Sequence, residues 1–144
     1  MKRVVITGMG IISSIGNNIQ EVQKSLYDGK SGIIFAEDYK EMGFRSHVKG
    51  NIDVDLEEKV DRRLLRFMGD GAAYAYIAMQ QAIADSGLKE GEVSDFKTGL
   101  VAGSGGPSTS SMLKSFDTAR EKNSNTAAAD RERGDSDTRQ VVEC

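Results

Sequence analysis

Apolar positions in this chain come in short blocks separated by glycine, and each block has its own period. Val4-Val5-Ile6-Thr7 is a β-branched run ended by Gly8 and Gly10, the pattern of a buried strand entering a tight turn. Asn17 and Asn18 are helix-capping residues, and Ile19, Val22, Gln23 and Leu26 follow at helical spacing until Gly29 offers a left-handed stop. Gly29 to Gly32 reads as a turn, residues 37–42 as a short helix, and residues 47–52 as a brief strand or extended connection. The strongest helical signal starts at Asp70, a candidate cap. Ala73, Tyr76, Ile77, Gln80 and Ala84 mark that helix and Gly87 ends it. Thr98 to Ala102 predicts a second buried strand running into Gly103-Ser104-Gly105-Gly106-Pro107. Ser108 to Ser111 form another cap cluster and open a helix through Met112, Leu113, Phe116 and Ala119. Strand, helix, strand, helix with glycine-rich turns at the strand ends is the grammar of an α/β fold.

That grammar stops near Lys122. Residues 123–144 contain no Ile, Leu, Met, Phe or Tyr, and eight of the 22 are charged. Such a stretch cannot bury enough apolar surface to offset its ordering entropy, so it is expected to be a disordered tail or sequence foreign to the fold. The fold is expected in residues 1–122, with 16 basic and 17 acidic residues; the tail adds three basic and five acidic ones.

Composition narrows the function classes. The 144 residues carry 19 Lys+Arg against 22 Asp+Glu, a net charge of −3, which argues against a chain built to coat nucleic acid or anionic membrane. One cysteine makes no internal disulfide, and no run approaches the ~20 apolar residues that span a bilayer. The expectation is a soluble cytoplasmic protein.

Several motifs invite chemistry and fail on spacing. Gly8-Met9-Gly10 follows a candidate strand, where a nicotinamide-dinucleotide site would sit, but Ser13 occupies the third glycine position of that fingerprint. Glycines that permit a tight turn and close packing are the better reading. Gly29-Lys30-Ser31 mimics the end of a phosphate-binding loop, yet Lys24 stands where its first glycine is needed. His47 has no second histidine to pair with, so a hydrogen-bonded structural role is expected. Cys144, beside Glu143 in the polar tail, lacks the electropositive setting of a nucleophilic thiol.

Two features hold more promise. In Asp61-Arg62-Arg63-Leu64-Leu65-Arg66, helical geometry puts Arg62 and Arg66 on one face with Arg63 adjacent, a positive patch able to attract an acidic partner. The alternative is a solvated face with Asp61 and Glu58 as internal counterions. The Gly103–Ser108 loop lies at a strand's C-terminal end, where α/β folds place ligands; a plain turn fits the spacing equally.

Whole strings go further than spacing. Met1-Lys2-Arg3-Val4-Val5-Ile6-Thr7-Gly8-Met9-Gly10 through Ser13-Ser14-Ile15-Gly16-Asn17-Asn18 resembles the opening of bacterial β-ketoacyl-acyl-carrier-protein synthases. Gly29-Lys30-Ser31-Gly32-Ile33, Arg45-Ser46-His47-Val48, Arg66-Phe67-Met68, Gln81 to Leu88 and the Gly103–Ser108 loop continue the resemblance in order. Asn17-Asn18 and the Arg45 to Val48 string favour the synthase I type over synthase II. The resemblance implies part of a thiolase-like layered α/β fold, usually a homodimer, and a decarboxylating Claisen condensation in fatty-acid elongation. It implies no organic cofactor, since the phosphopantetheine arm arrives on acyl carrier protein. It also implies that Arg62, Arg63 and Arg66, joined by Arg45, dock that carrier, and that Gly105, Gly106 and Ser108 border the acyl pocket. The family's nucleophilic cysteine and its two histidines lie beyond the matched region, so the chain has no catalytic residue of its own and is expected to be inactive alone. The readings carried forward are a partial condensing enzyme, a non-catalytic carrier-docking domain and, on Gly8-Met9-Gly10 only, a nicotinamide-dependent oxidoreductase.

Overall fold

The computed structural model describes residues 3–121, and the tail expected at 123–144, with Cys144, lies outside them. The described chain forms two compact units: residues 3–55 with Ile77–Gly87, and Leu56–Tyr76 with residues 88–121.

In the first unit the helix ends are built as local chemistry dictates. Asn18, in extended conformation, caps α1 (Ile19–Tyr27) by accepting the Glu21 N–H on its Oδ1 at 2.9 Å. The Glu21 carboxylate returns the contact, accepting from the Asn17 N–H at 2.8 Å and from Asn18 Nδ2 at 2.7 Å. At the other end Gly29 takes φ +63°, its N–H bonding the Leu26 carbonyl at 3.3 Å while the Lys30 N–H bonds that of Ser25 at 2.8 Å. That pair of bonds is a Schellman stop. The buried residue of α1 is Ser25, whose hydroxyl donates to the Ile15 carbonyl at 2.6 Å, whereas Leu26 of the expected apolar stripe stays exposed.

The Asn17 N–H, followed by the Asn18 side chain, lowers the Glu21 carboxyl below its usual value. A depressed carboxylate contributes stability that is complete above the ordinary value of 4.5 and lost as pH falls through the lowered one. Hydrogen-exchange protection of the α1 amides is therefore expected to drop on acidification below that point. Glu21→Gln should flatten this dependence; matching profiles for variant and wild type would refute the role given to Glu21.

The chain then forms β1 (Ile33–Phe35), α2 (Glu37–Glu41) and β2 (Val48–Gly50). The strands pair antiparallel with Ile33 opposite Gly50, Ile34 opposite Lys49 and Phe35 opposite Val48. α2 also ends in a Schellman stop, at Gly43 (φ +71°), and the rings of Tyr39 and Phe44 close it edge-to-face at 5.3 Å. Lys49 pairs with Asp38 at 2.9 Å, fastening strand to helix and, chiefly through that hydrogen bond, lowering the Asp38 carboxyl. Strand β1 was not anticipated, although Ile33-Ile34-Phe35 is the apolar run that signals it.

Two expected strands do not form among the described residues. Residues 4–7 and 98–102 carry no ladder, and Val4 and Val101 are 94% and 97% exposed. β-Branched side chains supply propensity, but a strand exists only when another strand accepts its backbone bonds.

The long helix is α5 (Asp70–Ser86), ended by Gly87 at φ +71°. Asp70 is its first residue rather than its cap: the Gly69 carbonyl accepts the Ala73 N–H at 3.0 Å, and Asp70 adds negative charge where the helix dipole favours it. Ala73 and Ile77 are buried as the pattern predicts, but Gln80 and Ala84 are exposed. The working face of the C-terminal half is instead Ala78, Gln81, Ala82, Asp85 and Ser86, which receives the segment around Gly8 and Gly10. A Cβ on Gly10 would overlap the Ala78 carbonyl oxygen and lie 2.9 Å from the Ala82 nitrogen; one on Gly8 would sit 2.6 Å from the Ser86 nitrogen. The Met9 and Ile11 N–H groups donate to Asp85 Oδ2 at 2.9 Å and Gln81 Oε1 at 3.1 Å, and Gln81 Nε2 donates to the Asn17 carbonyl at 2.7 Å. An extended segment thus lies on a helix, with side chains of that helix standing in for a neighbouring strand.

The second unit holds α3 (Leu56–Lys59), α4 (Arg62–Leu65), the first turns of α5, α6 (Glu90–Val93) and α7 (Thr109–Glu121). Gly69 makes the close approach there, a Cβ on it falling 2.8 Å from that of Ser108 at the start of α7.

Candidate functional site

The arginine patch is assembled by a cap. Asp61 precedes α4 and its carboxylate accepts the Arg63 N–H at 2.7 Å, while its carbonyl accepts from Leu64 and Leu65, both at 2.9 Å. The Arg66 N–H reaches the Arg62 carbonyl at 3.4 Å, so Arg62 and Arg66 stand one turn apart on the same side, as the spacing predicts. Val60, 3% exposed, anchors the segment from below. All three arginines are exposed, and with Asp61 they line a shallow depression. The Arg66 guanidinium lies over the Phe67 ring at 4.4 Å from its centre.

The carboxylates that could have neutralised this patch are engaged elsewhere. Asp61 is the cap, and Glu58 pairs with Lys59 at 3.8 Å. Among the described residues no carboxylate oxygen comes within 4.0 Å of Arg62, Arg63 or Arg66 in an ion pair. Neither Asp61 nor Glu58 forms a direct ion pair with the three arginines among the described residues, although Asp61 lines the same depression. Arg45 is exposed in the first unit, in the connection between α2 and β2.

The glycine loop is exposed from Gly103 to Pro107, and a Cβ on Gly105 or Gly106 would meet open space. Ser104 closes it with a bond from its hydroxyl to the Gly106 carbonyl at 2.8 Å. Ser108 heads α7, its carbonyl accepting the Met112 N–H at 3.0 Å and its Oγ the Ser111 N–H at 3.4 Å, the capping role its residue type predicts.

The weaker motifs resolve into structure. Gly8 and Gly10 spend their missing side chains on contact with α5, the close-packing role expected of them. Gly29-Lys30-Ser31 follows a helix, and Ser31 Oγ accepts the Ile33 N–H at 3.1 Å. His47 departs from expectation: its side chain makes no hydrogen bond among the described residues and instead meets the Phe35 ring edge-to-face at 6.0 Å. Phe35 is the last rung of the β1–β2 ladder, opposite Val48, and His47 immediately precedes Val48, so cross-strand proximity decides the contact. No group of three or more His, Cys, Asp or Glu residues is placed to hold a metal among the described residues. No helix there is long and apolar enough to cross a membrane.

A polar network with no signal in the local sequence surrounds Asn17. Its Nδ2 donates to the Asp53 carbonyl, its carbonyl accepts from Gln81, and its Oδ1 is buried without a partner among the described residues. The partners are 36 and 64 residues away, so no local pattern signals them.

Comparison with known proteins agrees with the strings quoted above. The sequence pattern of the β-ketoacyl synthase N-terminal domain matches residues 1–134. The 3-oxoacyl-[acyl-carrier-protein] synthase 1 of Haemophilus influenzae is 53% identical over 120 residues, 83% of this chain and 30% of that protein. Its counterpart in Escherichia coli K12 is 54% identical over 109 residues, 75% of this chain and 27% of that protein. The crystal structure of a β-ketoacyl synthase from Burkholderia phymatum STM815 superposes with a TM-score of 0.70 at 30% identity, over 88% of this chain and 32% of its own. The chain thus spans about 30% of the length of the curated relatives it matches. The architecture described above is part of the ketosynthase, thiolase-like fold. From its sequence and its fold alike, the chain belongs to the β-ketoacyl synthase family, as an N-terminal domain of the synthase I type.

Proposed function

We propose that this chain is the carrier-docking part of a fatty-acid condensing enzyme, and that it binds acyl carrier protein through Arg62, Arg63 and Arg66. The observation that carries this reading is the arginine patch that forms no ion pair with a carboxylate among the described residues, although Asp61 and Glu58 are near in sequence. Three exposed guanidinium groups attract an acidic surface, raise the encounter rate and offer paired N–H donors to its carboxylates. The names of the curated relatives support the choice of partner, since they are acyl-carrier-protein synthases.

In the whole enzyme a cysteine thiolate takes the acyl group from the carrier's phosphopantetheine thioester and releases the carrier thiol. Malonyl-carrier then loses carbon dioxide, and the resulting carbanion attacks the acyl-cysteine, forming the new carbon–carbon bond and freeing the thiolate. Two histidines and a backbone oxyanion hole stabilise the charge that develops. The chain's single histidine, His47, and single cysteine, Cys144, have neither the pairing nor the setting for those roles. Its share of the work is docking, with Gly105, Gly106 and Ser108 bordering the acyl pocket of the assembled, dimeric, cytoplasmic enzyme. It needs no cofactor of its own, because phosphopantetheine arrives on the carrier.

The test is a titration of fluorescently labelled holo-acyl carrier protein with the 144-residue chain and with its Arg62→Glu/Arg66→Glu variant. The wild-type chain is expected to bind, with affinity falling as salt screens the contact. The double reversal should weaken binding about ten-fold or more at low salt. Equal affinity in both, or none in either, would overturn the docking role. With acyl- and malonyl-carriers supplied, the chain alone should yield no 3-oxoacyl product; measurable product would refute its reading as an incomplete enzyme.

A further inference from the structure

Four cation–π contacts occur among the described residues, and the shortest is Arg66 over Phe67 at 4.4 Å; Lys40 on Phe35, Lys49 on Tyr39 and Lys97 on Phe96 lie at 6.0, 5.5 and 5.4 Å. Its setting differs from the first two as well. Lys40 and Lys49 spend their charge on Glu37 and Asp38, whereas Arg66 contacts a ring and no carboxylate among the described residues. Stacking occupies the face of a guanidinium and leaves its N–H edge open for a carboxylate or phosphate.

The platform is held from the backbone. Beyond the last residue of α4 the Phe67 N–H bonds the Leu64 carbonyl at 3.0 Å and the Met68 N–H bonds that of Leu65 at 3.1 Å, so the chain stays in tight turns through the ring-bearing residue. Phe67 is 39% exposed, enough to present a face to Arg66. Arg62 stands one turn back, and two like charges at that spacing repel each other. Without a counter-attraction, Arg66 would swing away from Arg62 and sample its many rotamers.

We propose that Phe67 is a positioning residue for carrier docking: its ring holds the Arg66 guanidinium beside Arg62, so that the pair meets an acidic surface already arranged. This inference rests on the docking reading above. It adds that affinity depends on a side chain bearing no charge, acting only through Arg66. Stacking at an exposed site corresponds to an effect of about two- to five-fold in affinity.

A double-mutant cycle on the full 144-residue chain tests it, with labelled holo-acyl carrier protein as the probe. Phe67→Leu keeps an apolar side chain and removes the ring; Phe67→Tyr keeps the ring. Phe67→Leu is expected to weaken binding about two- to five-fold when Arg66 is present and not at all in an Arg66→Ala background, while Phe67→Tyr binds as wild type does. If Arg66→Ala weakens binding and Phe67→Leu does not, the positioning role is wrong and the docking reading stands. Equal losses from Phe67→Leu with and without Arg66 would mean that Phe67 acts through the fold or by direct contact, and would also overturn the proposal. If neither Arg66→Ala nor the double reversal of Arg62 and Arg66 changes affinity, the docking reading itself fails.

Discussion

Gly10→Ala is expected to strip the C-terminal half of α5 of its hydrogen-exchange protection, while Gly71→Ala, in the same helix, leaves it intact or strengthens it. The contrast follows from what each new methyl group would meet. At Gly10 a Cβ would overlap the carbonyl oxygen of Ala78 and lie 2.8 Å from its carbonyl carbon, both backbone atoms inside a 17-residue helix. Helix backbone does not yield as a flexible side chain does, so the segment must lift away. Lifting breaks the bonds from Met9 to Asp85 and from Ile11 to Gln81. Overpacking of this kind costs about 3 kcal/mol, which amounts to a loss of protection of roughly a hundred-fold at residues 78–86. At Gly71 nothing lies within 4 Å of the added carbon, and exchanging glycine for alanine in a helix stabilises by up to about 1 kcal/mol. Unchanged protection in Gly10→Ala would show that the segment does not rest on α5.

The second large effect concerns the chain as a whole. At micromolar concentration the 144-residue protein is expected to bind the apolar dye ANS strongly and to self-associate. Among the described residues the buried apolar side chains are Ala36, Val60, Ala73 and Ile77, three of them small. Against them Val4, Ile6, Phe96 and Val101 are each at least 84% exposed, and Met112, Leu113 and Phe116 leave an apolar stripe of α7 in solvent. Burial is worth about 25 cal/mol per Å², so so small a set of buried side chains offsets little of the ordering entropy. Exposed apolar surface of this extent drives association, and an unpaired extended segment such as residues 4–7 offers a free backbone edge to another copy. Sedimentation and dye titration read the outcome. A soluble monomer with a sharp cooperative melt and no dye uptake would contradict it.

The same exposure explains where sequence reasoning failed. Val4 to Thr7 and Thr98 to Ala102 have the composition of buried strands, and neither is one among the described residues. The family match supplies the reason for the composition: the chain spans about 30% of its relatives, and residues that read as core need the rest of a core around them. The face of α5 was misread for a related cause. Its apolar stripe correctly marked Ala73 and Ile77, but the contact with Gly8 and Gly10 is made by small and polar residues, to which a hydrophobic period is blind. Of the candidate site, the shared side of Arg62 and Arg66 was legible from four-residue spacing. The engagement of Asp61 as a cap, and the lack of an ion pair to the patch among the described residues, were not.

Helix ends were decided by the sequence alone: Asn18 at the start of α1, Gly29 at its end, Gly87 closing α5 and Ser108 opening α7. Caps and left-handed stops are contacts within a few residues, so the information they need is contiguous. The family, too, was carried in contiguous strings. Only the tertiary structure decided that Gly8 and Gly10 pack against a helix, that Asn17 and Gln81 bind each other across 64 residues, and that the two expected strands find no ladder among the described residues. Each of those outcomes depends on which distant segment comes to lie alongside, and a backbone hydrogen bond between distant segments leaves no mark on the identity of the residues that make it.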